Sequence, residues 1–301
     1  MPRPVATMLL VICTMLWGLA FIAQKTAMDS MGPMSFTGVR YIIGGLLVLP
    51  LALFERRRKA VQLSNRQWLL IAAMSLVFFL GSALQQIGLG MTTVTNTGFL
   101  TGLYVLFVPA IALIVLRVKP HPIIWVGVPL ALIGIFYLNG GGFGNFNAGD
   151  GLVVFSAVFW AMHVLLLGFL ARNTGLPIFV SAMSFLAAGV IALTLAFIFE
   201  TPSMAGVIDA WIPIAYSAVM STAVAFTLQA IGQQYVPAAN AAIILSAESL
   251  FAALGGALLL GERLPPIGYA GAALLFCAII LVEAVPPLLE RRARRRAAYL
   301  V

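Results

Sequence analysis

Charged residues are scarce in this sequence. Only 9% of its 301 residues are Asp, Glu, Lys or Arg, whereas charged residues make up about a quarter of a soluble domain. Hydrophobic residues make up 62% of the chain, and the mean hydropathy is +1.07. So few charges cannot cover a globular surface in water, so we expect nearly all of the chain to lie in a lipid bilayer. The composition excludes a cytosolic enzyme, a disulfide-stapled secreted module and a disordered tail protein.

Cysteine and histidine are also scarce. Cys13 and Cys277 lie within apolar runs, which favours buried thiols over a disulfide or a metal site. His121 and His163 have no cluster of carboxylates to join, so zinc chemistry is unsupported and we expect no cofactor. The net charge of +8 lacks the solvated basic face that nucleic-acid binding needs, so we expect no nucleic-acid partner.

Long apolar runs are present instead. A helix needs about 20 apolar residues to cross a bilayer, and ten such runs are bounded by charge, Pro or Gly. They are 5–27, 33–54, 67–88, 94–116, 121–139, 150–170, 178–199, 209–231, 238–260 and 267–286. A β-barrel would show alternating segments of about ten residues rather than unbroken runs. The sequence therefore predicts an all-α integral membrane protein with ten transmembrane helices.

The basic residues predict how the protein is oriented in the membrane, because Lys and Arg in short loops are retained on the cytoplasmic side. With the N-terminus inside, 14 of the 17 basic residues fall in cytoplasmic segments. They are Arg3, Arg56, Arg57, Arg58, Lys59, Arg66, Arg117, Lys119, Arg172, Arg291, Arg292, Arg294, Arg295 and Arg296. We therefore expect both termini in the cytoplasm and the C-terminal arginines at the lipid of the inner leaflet.

The two halves of the chain match when one is shifted by 144 residues. The shift pairs Gln85 with Gln229, while Trp17 and Trp160 pair at a shift of 143; we call such pairs repeat mates. The proposed segments are a first five-helix repeat (1–139), a Gly/Asn-rich linker (140–149), a second repeat (150–288) and a basic tail (289–301). Because five is an odd number, the second repeat enters the membrane upside down, and inverted repeats are typical of transporters that alternate access to a site near the midplane.

Two charged residues are predicted inside the bilayer, where such a residue costs about 2.5–3.5 kcal/mol at the helix centre. Glu248 lies ten residues into the ninth run, about 15 Å deep. We expect it to face a cavity, with a buried structural partner as the alternative and proton coupling as a further role left open. Arg40 lies seven residues after Pro33. Its guanidinium offers a planar fork of donors to a substrate carboxylate, although a structural contact to a carboxylate or to helix carbonyls is equally supported.

Uncharged polar and aromatic residues complete the predicted site. Gln85 and Gln229 either line a cavity or join helices. Trp160 and His163 share a helix face at i, i+3, with simple packing favoured for His163, and Trp17 lies too deep for an interface belt. The candidate substrate-binding or cavity residues are Trp17, Arg40, Gln85, Asn96, Tyr104, Trp160, His163, Gln229 and Glu248.

Several of these features also carry a family resemblance. The repeated five-helix unit, the Leu-Trp-Gly of 16–18, Arg40, the Ala-Glu-Ser-Leu-Phe-Ala-Ala-Leu of 247–254 and the Leu-Gly-Glu-Arg-Leu of 260–264 resemble EamA-type transporters of the drug/metabolite transporter superfamily. Among these the chain is most similar to YddG-type amino-acid exporters of bacterial inner membranes. The resemblance implies ten helices around a central cavity, a lining from helices 1 to 4 and 6 to 9, and peripheral helices 5 and 10. The first half lacks a match for Glu262, which favours a structural turn role for that residue.

The sequence thus predicts no enzyme but a secondary transporter in the inner membrane of a bacterial cell. It would export small metabolites, amino acids with an aromatic or broad preference, by alternating access, with the small-molecule substrate and membrane lipid as its partners. One alternative is efflux of cationic drugs, with Glu248 as the counter-charge. Another is an intramembrane lipid-modifying enzyme, for which His163 and Glu248 are the available groups. The sequence makes no prediction of oligomeric state.

Overall fold

The computed structural model describes residues 1–138, 140–142, 146–259 and 266–298, and ten apolar helices account for most of them. They are α1 (Arg3–Ala27), α2 (Pro33–Lys59), α3 (Asn65–Met91), α4 (Val94–Ile114), α5 (Ile124–Leu138), α6 (Ala148–Thr174), α7 (Pro177–Phe199), α8 (Trp211–Gly232), α9 (Ala238–Leu259) and α10 (Pro266–Ala298). A short helix, Met204–Asp209, precedes α8. The described residues include no strand, so the all-α fold class is confirmed. Nine of these helices are long and apolar enough to cross a membrane, and α5 is shorter.

The ends of several helices differ from the predicted runs because polar residues set them. Helix α6 begins with a capping box, in which the Asn147 side chain accepts from Asp150 N and the Asp150 carboxylate accepts from Asn147 N. Gly175, with φ of 66°, ends the same helix. Helix α10 continues to Ala298, so the first part of the predicted basic tail extends this helix.

Three sequence predictions lie outside the described residues. The turn role of Glu262 falls in 260–265, the centre of the linker falls in 143–145, and the end of the basic tail falls in 299–301. They stay predictions.

The outer surface of the bundle is apolar. Leu69 is 71% exposed and Leu258 is 83% exposed, while the charged Arg40 and Glu248 are buried. Large apolar side chains outside and charges inside are the reverse of the arrangement in a soluble protein. The surface therefore suits lipid as its solvent.

Helices α2 and α7 form a closely packed antiparallel pair. Gly45 faces Leu186 and Gly189 faces Ile42, so closely that a Cβ on either glycine would lie 3.2 Å or 2.9 Å from the facing backbone nitrogen. Small residues permit such an approach between membrane helices. Ile42 and Leu186 are repeat mates, and so are Gly45 and Gly189, so the two contacts are equivalent by the 144-residue shift.

Charged side chains cap helix ends on both sides of the bundle. Glu200 accepts hydrogen bonds from the backbone N–H groups of Met34 and Ser35 at the start of α2, at 2.7 and 2.8 Å. Glu55 accepts from Ile178 and Phe179 at the start of α7, both at 3.0 Å. Carboxylates at helix N-termini are stabilising because they satisfy unpaired N–H groups and oppose the helix dipole.

Two basic side chains cap the C-terminal ends of helices. Lys25 Nζ donates to the carbonyls of Leu89 and Thr92 at the end of α3, at 2.8 and 3.0 Å. Arg172 donates to the carbonyl of Gln233 just after α8, at 3.0 Å. Leu89 and Gln233 are repeat mates, so the two cationic caps also follow the repeat.

Helices α4 and α9 are each interrupted, which the sequence did not predict. Helix α4 consists of Val94–Thr101 and Tyr104–Ile114, and α9 consists of Ala238–Leu245 and Glu248–Leu259. At both interruptions an i→i+3 hydrogen bond, Leu103 N to Leu100 O and Ala247 N to Ile244 O, tightens the turn. The interruptions are 144 residues apart, which is the spacing of the repeat.

Candidate functional site

A cavity lies among the helices of the bundle. Its lining comes from α1, α2, α3, α4, α6, α8 and α9, and comprises Trp17, Phe21, Gln24, Arg40, Tyr41, Gln85, Thr101, Tyr104, Trp160, Val164, Ser221, Phe226, Gln229, Leu245 and Glu248. Among the described residues, α5 and α10 contribute no side chain to the lining, as the resemblance implied. Helix α7, which the resemblance placed in the lining, contributes none either, because it packs against α2.

Seven of the nine candidate residues from the sequence line this cavity. They are Trp17, Arg40, Gln85, Tyr104, Trp160, Gln229 and Glu248. The structure therefore brings together side chains that are up to 231 positions apart in the chain.

Asn96 lies away from the cavity, near the start of α4. Its backbone N–H donates to Thr93 Oγ1 at 3.1 Å, and its side-chain Nδ2 lies 3.3 Å from Thr92 Oγ1. Its repeat mate Asn240 lies at the start of α9 and donates to Glu283 Oε1 at 3.1 Å. The Asn pair therefore marks two helix starts, and the prediction that Asn96 lines the cavity does not match the structure.

His163 is also absent from the lining, although it is buried. Its ring lies 5.0 Å from that of Phe78, 5.7 Å from that of Trp160 and 6.0 Å from that of Phe226, measured between centroids. These contacts are packing contacts behind the cavity wall. They agree with the packing alternative that the sequence favoured for this residue.

The interruptions of α4 and α9 position two of the lining residues. Tyr104 is the first residue of the second segment of α4, and Glu248 is the first residue of the second segment of α9. The Tyr104 phenol is next to the Glu248 carboxyl. Neither the Tyr104 hydroxyl nor Glu248 Oε1, however, makes a hydrogen bond of normal geometry to another described group.

Helix α8 supplies the opposite wall through a π-helical segment, Ser217–Phe226. The Thr222 hydroxyl donates to the carbonyl of Ser217, five residues before it, at 2.8 Å. Trp17 Nε1 donates across to the carbonyl of Ser221 at 3.3 Å. Irregular turns of this kind occur often at functional sites in helices.

Arg40 is a buried cation with neutral neighbours. Its guanidinium donates to the Tyr41 hydroxyl at 3.0 Å and lies over the rings of Phe36 and Tyr41, at 5.2 and 4.5 Å from their centroids. The Tyr41 hydroxyl in turn lies 2.6 Å from Ser82 Oγ. Among the described residues, the ion pairs are Arg3–Glu283 and Lys59–Glu55, so Arg40 has no carboxylate partner there.

Six lining residues each have a buried polar side-chain atom with no hydrogen-bond partner among the described groups. The donors are Arg40 Nε and Trp160 Nε1, the acceptors are Gln24 Oε1, Gln229 Oε1 and Glu248 Oε1, and the Tyr104 hydroxyl can be either. A buried polar group without a partner costs about 1–3 kcal/mol. The cavity thus offers both donors and acceptors to a ligand or to water. Within the described residues no three His, Cys, Asp or Glu side chains form a group that could hold a metal ion.

Comparison with known proteins decides the family. The sequence pattern of the EamA-like transporter family matches this chain twice, at residues 5–140 and 147–284. The chain belongs to the EamA-like transporter family. It is therefore a multi-pass membrane transporter, as the sequence predicted.

Two relatives and one solved structure agree with this assignment. An uncharacterized transporter of Archaeoglobus fulgidus is 32% identical over 275 residues, which is 91% of this chain and 84% of the relative. The uncharacterized inner membrane transporter YedA of Escherichia coli K12 is 26% identical over 280 residues, 89% of this chain and 87% of the relative. A crystal structure at 18% identity has a TM-score of 0.77, covers 97% of this chain and 99% of the other, and supports the fold alone.

Sequence reasoning missed eight lining residues of this EamA-like transporter. They are Phe21, Gln24, Tyr41, Thr101, Val164, Ser221, Phe226 and Leu245. Helical spacing places Gln24 on the face of Trp17 at i+7, and the same spacing at i+4 could have found Phe21. Thr101 is found only in the structure, where its hydroxyl accepts from Gln85 Nε2 at 2.8 Å.

Proposed function

We propose that this EamA-like transporter exports small metabolites, namely amino acids with an aromatic or broad preference, by alternating access. The main support is the cavity, in which unpartnered donors and acceptors lie between aromatic walls inside an apolar bundle. An α-amino acid presents complementary groups: a carboxylate to donors, an ammonium to acceptors and a side chain to the aromatic rings. Such a ligand would satisfy polar atoms that are otherwise costly to bury.

The inverted arrangement of equivalent contacts supports alternating access. The caps made by Glu55 and Glu200 lie at opposite ends of α2, and the glycine contacts between α2 and α7 are related by the same shift. Two copies of one unit in opposite orientations can exchange conformations and so expose a central site to either side. The excess of basic residues on one side further supports cytoplasmic termini.

The cationic-drug alternative is less well supported because Arg40 lines the same cavity as Glu248. A cation at this site would meet the Arg40 guanidinium, which has no carboxylate partner among the described residues, as well as the acidic Glu248. The lipid-modifying enzyme is less well supported because His163 lies outside the cavity lining. Its imidazole packs among aromatic rings instead.

Counterflow in proteoliposomes tests the substrate class. Vesicles with purified protein and preloaded unlabelled compound are given trace labelled amino acids or labelled organic cations. We expect labelled aromatic amino acids to accumulate, and less of them to accumulate with Gln229→Ala, which removes a cavity acceptor. The control is Leu69→Ala, at a lipid-facing position, which should behave as the wild type does. Accumulation of organic cations with no accumulation of any amino acid would contradict the proposal.

Cysteine labelling tests the proposed orientation. In a variant with Cys13→Ala and Cys277→Ser, a single cysteine replaces either Ala60 or Phe146, both of which are exposed. A membrane-impermeant maleimide added to intact cells should label the variant at 146 and spare the variant at 60. Labelling of both from outside would contradict the ten-helix topology.

A further inference from the structure

The cavity holds one basic and one acidic residue, and neither has an ion-pair partner among the described residues. Arg40 is 3% exposed and Glu248 is 4% exposed. Arg40 Nε and Glu248 Oε1 both lack a hydrogen-bond partner. Isolated buried charges are costly because desolvation is not offset by a counter-charge. A charged ligand would supply the missing partners.

The two residues form no ion pair with one another, although they line the same cavity. Each lies beside a phenol, Tyr41 beside Arg40 and Tyr104 beside Glu248. A ligand that carries both charges would meet each residue with the opposite sign. A ligand with only one charge would leave one of the two residues without a partner.

The charges also break the symmetry of the repeat. The repeat mate of Arg40 is Ser184, whose hydroxyl donates to the carbonyl of Val180 at 3.2 Å, and the mate of Glu248 is the neutral Tyr104. Two uncharged lining pairs keep the residue type across the repeat, namely Gln85 with Gln229 and Trp17 with Trp160. Because the basic and the acidic residue each occur once, they give a ligand with two charges one preferred direction.

Aromatic rings line the cavity together with these charges. Trp160 stacks on Phe226 at 5.8 Å between centroids and an interplanar angle of 16°. Trp17 meets Phe226 at 4.5 Å. An apolar or aromatic side chain fits such a surface because aromatic rings bury a large apolar area.

We propose that Arg40 and Glu248 are the two poles of a site for zwitterions, in which Arg40 binds the carboxylate and Glu248 binds the ammonium group of one amino-acid substrate. This inference rests on the proposed function and adds the specificity rule: the substrate must carry both charges. Arg40 suits its role because guanidinium binds a carboxylate through parallel N–H groups. Organic cations and simple carboxylates are rejected by the pole that they fail to satisfy.

Three probes of similar shape test this rule: phenylalanine, phenethylamine without the carboxylate, and 3-phenylpropionate without the ammonium group. Binding is measured in detergent as ligand-induced thermal stabilisation, and transport as competition with labelled phenylalanine in counterflow. We expect wild-type protein to bind phenylalanine at least about tenfold more tightly than either analogue, since charge-assisted hydrogen bonds are lost. Arg40→Gln should abolish the preference for phenylalanine over phenethylamine only. Glu248→Gln should abolish the preference for phenylalanine over 3-phenylpropionate only.

Further variants control for folding and for general damage. Arg40→Lys and Glu248→Asp keep the charge and should retain part of each preference. Ser184→Ala, at the repeat mate of Arg40 and outside the cavity lining, should leave both preferences unchanged. If amino acids are transported while Arg40→Gln and Glu248→Gln weaken all three probes equally, the zwitterion rule is wrong and the proposed function stands. If no amino acid is bound or transported, the proposed function fails and the rule fails with it.

Discussion

In the second half of the chain, the Glu200 carboxylate caps the start of α2; in the first half, Glu55 caps the start of α7. Lys25 and Arg172 likewise cap equivalent carbonyls at the ends of α3 and α8. The two halves therefore use the same contacts at the helix ends: carboxylates accept from backbone N–H groups, and basic side chains donate to backbone carbonyls.

The same comparison gives a different result in the cavity. Gln85 has Gln229 as its mate and Trp17 has Trp160, but Arg40 has no charged mate in Ser184. Helix ends need caps on both sides of the membrane, so the same contacts serve both repeats. A small substrate has no twofold symmetry, so its binding site does not require equivalent residues from the two repeats. Matched changes in the two halves can therefore separate scaffold contacts from cavity contacts.

The largest effect is expected at the glycine contacts between α2 and α7. Gly45→Ala and Gly189→Ala each place a Cβ against a facing backbone nitrogen, at 3.2 and 2.9 Å. Overpacking of this kind costs about 1–3 kcal/mol, so both variants should melt at lower temperature in detergent, Gly189→Ala more so. Gly151→Ala is the control, because its nearest contact would be a side-chain atom 3.9 Å away. Tolerance of the change at only one of the two contacts would show that they are not equivalent.

A smaller effect is expected at the carboxylate caps. Glu55→Ala and Glu200→Ala each remove an acceptor from two backbone N–H groups, which should lower the free energy of unfolding by about 1–2 kcal/mol. The two sites are about 30 Å apart along α2, so the double variant should show additive losses in thermal unfolding. Asp209→Asn, at an exposed acid, serves as the control and should change stability by less than about 0.5 kcal/mol. Strong non-additivity would mean that the caps at the two ends of α2 are energetically coupled.

Run length predicted the helices, because burial in lipid requires long apolar runs. Repeat spacing and the depth of polar residues predicted seven of the fifteen lining residues, among them repeat mates that meet at the centre. The interruptions after Thr101 and Leu245 were not predicted, since hydropathy does not change where an i→i+4 hydrogen bond becomes i→i+3. Ser221 and Phe226 were missed for a similar reason. They are five residues apart, a spacing that shares a face in the π-helical turn of α8 but not in an α-helix.

The Trp pair offers a contrast inside the cavity itself. Trp17 Nε1 donates to the Ser221 carbonyl, whereas Trp160 Nε1 has no partner among the described groups. Trp17→Phe should therefore lower the melting temperature, by the loss of a hydrogen bond of about 1 kcal/mol. Trp160→Phe should leave the melting temperature unchanged and weaken substrate binding roughly fivefold, which equals about 1 kcal/mol. Equal effects of both changes on binding and on stability would remove the distinction between the two donors.

The smallest effect concerns two helix ends that share the left-handed conformation, one at an alanine and one at a glycine. Helix α2 ends at Ala60 with φ of 50°, and α6 ends at Gly175 with φ of 66°. The left-handed conformation costs an L-residue about 1–2 kcal/mol, and glycine avoids this cost while losing more entropy on folding. We therefore expect Ala60→Gly to stabilise the protein by about 0.5–1 kcal/mol and Gly175→Ala to destabilise it by a similar amount.

The backbone effect is isolated at Gly175 because no atom lies within 4 Å of the added Cβ. Both ends lie at the same face of the bundle, since Lys59 Nζ donates to the Gly175 carbonyl, and neither substitution removes that acceptor. Thermal unfolding of the two single variants and of the exchange variant carrying both changes measures the effect. The exchange variant should melt close to the wild type, because the gain at one end offsets the loss at the other. Destabilisation by Ala60→Gly would show that the left-handed turn after α2 is not strained in the native protein.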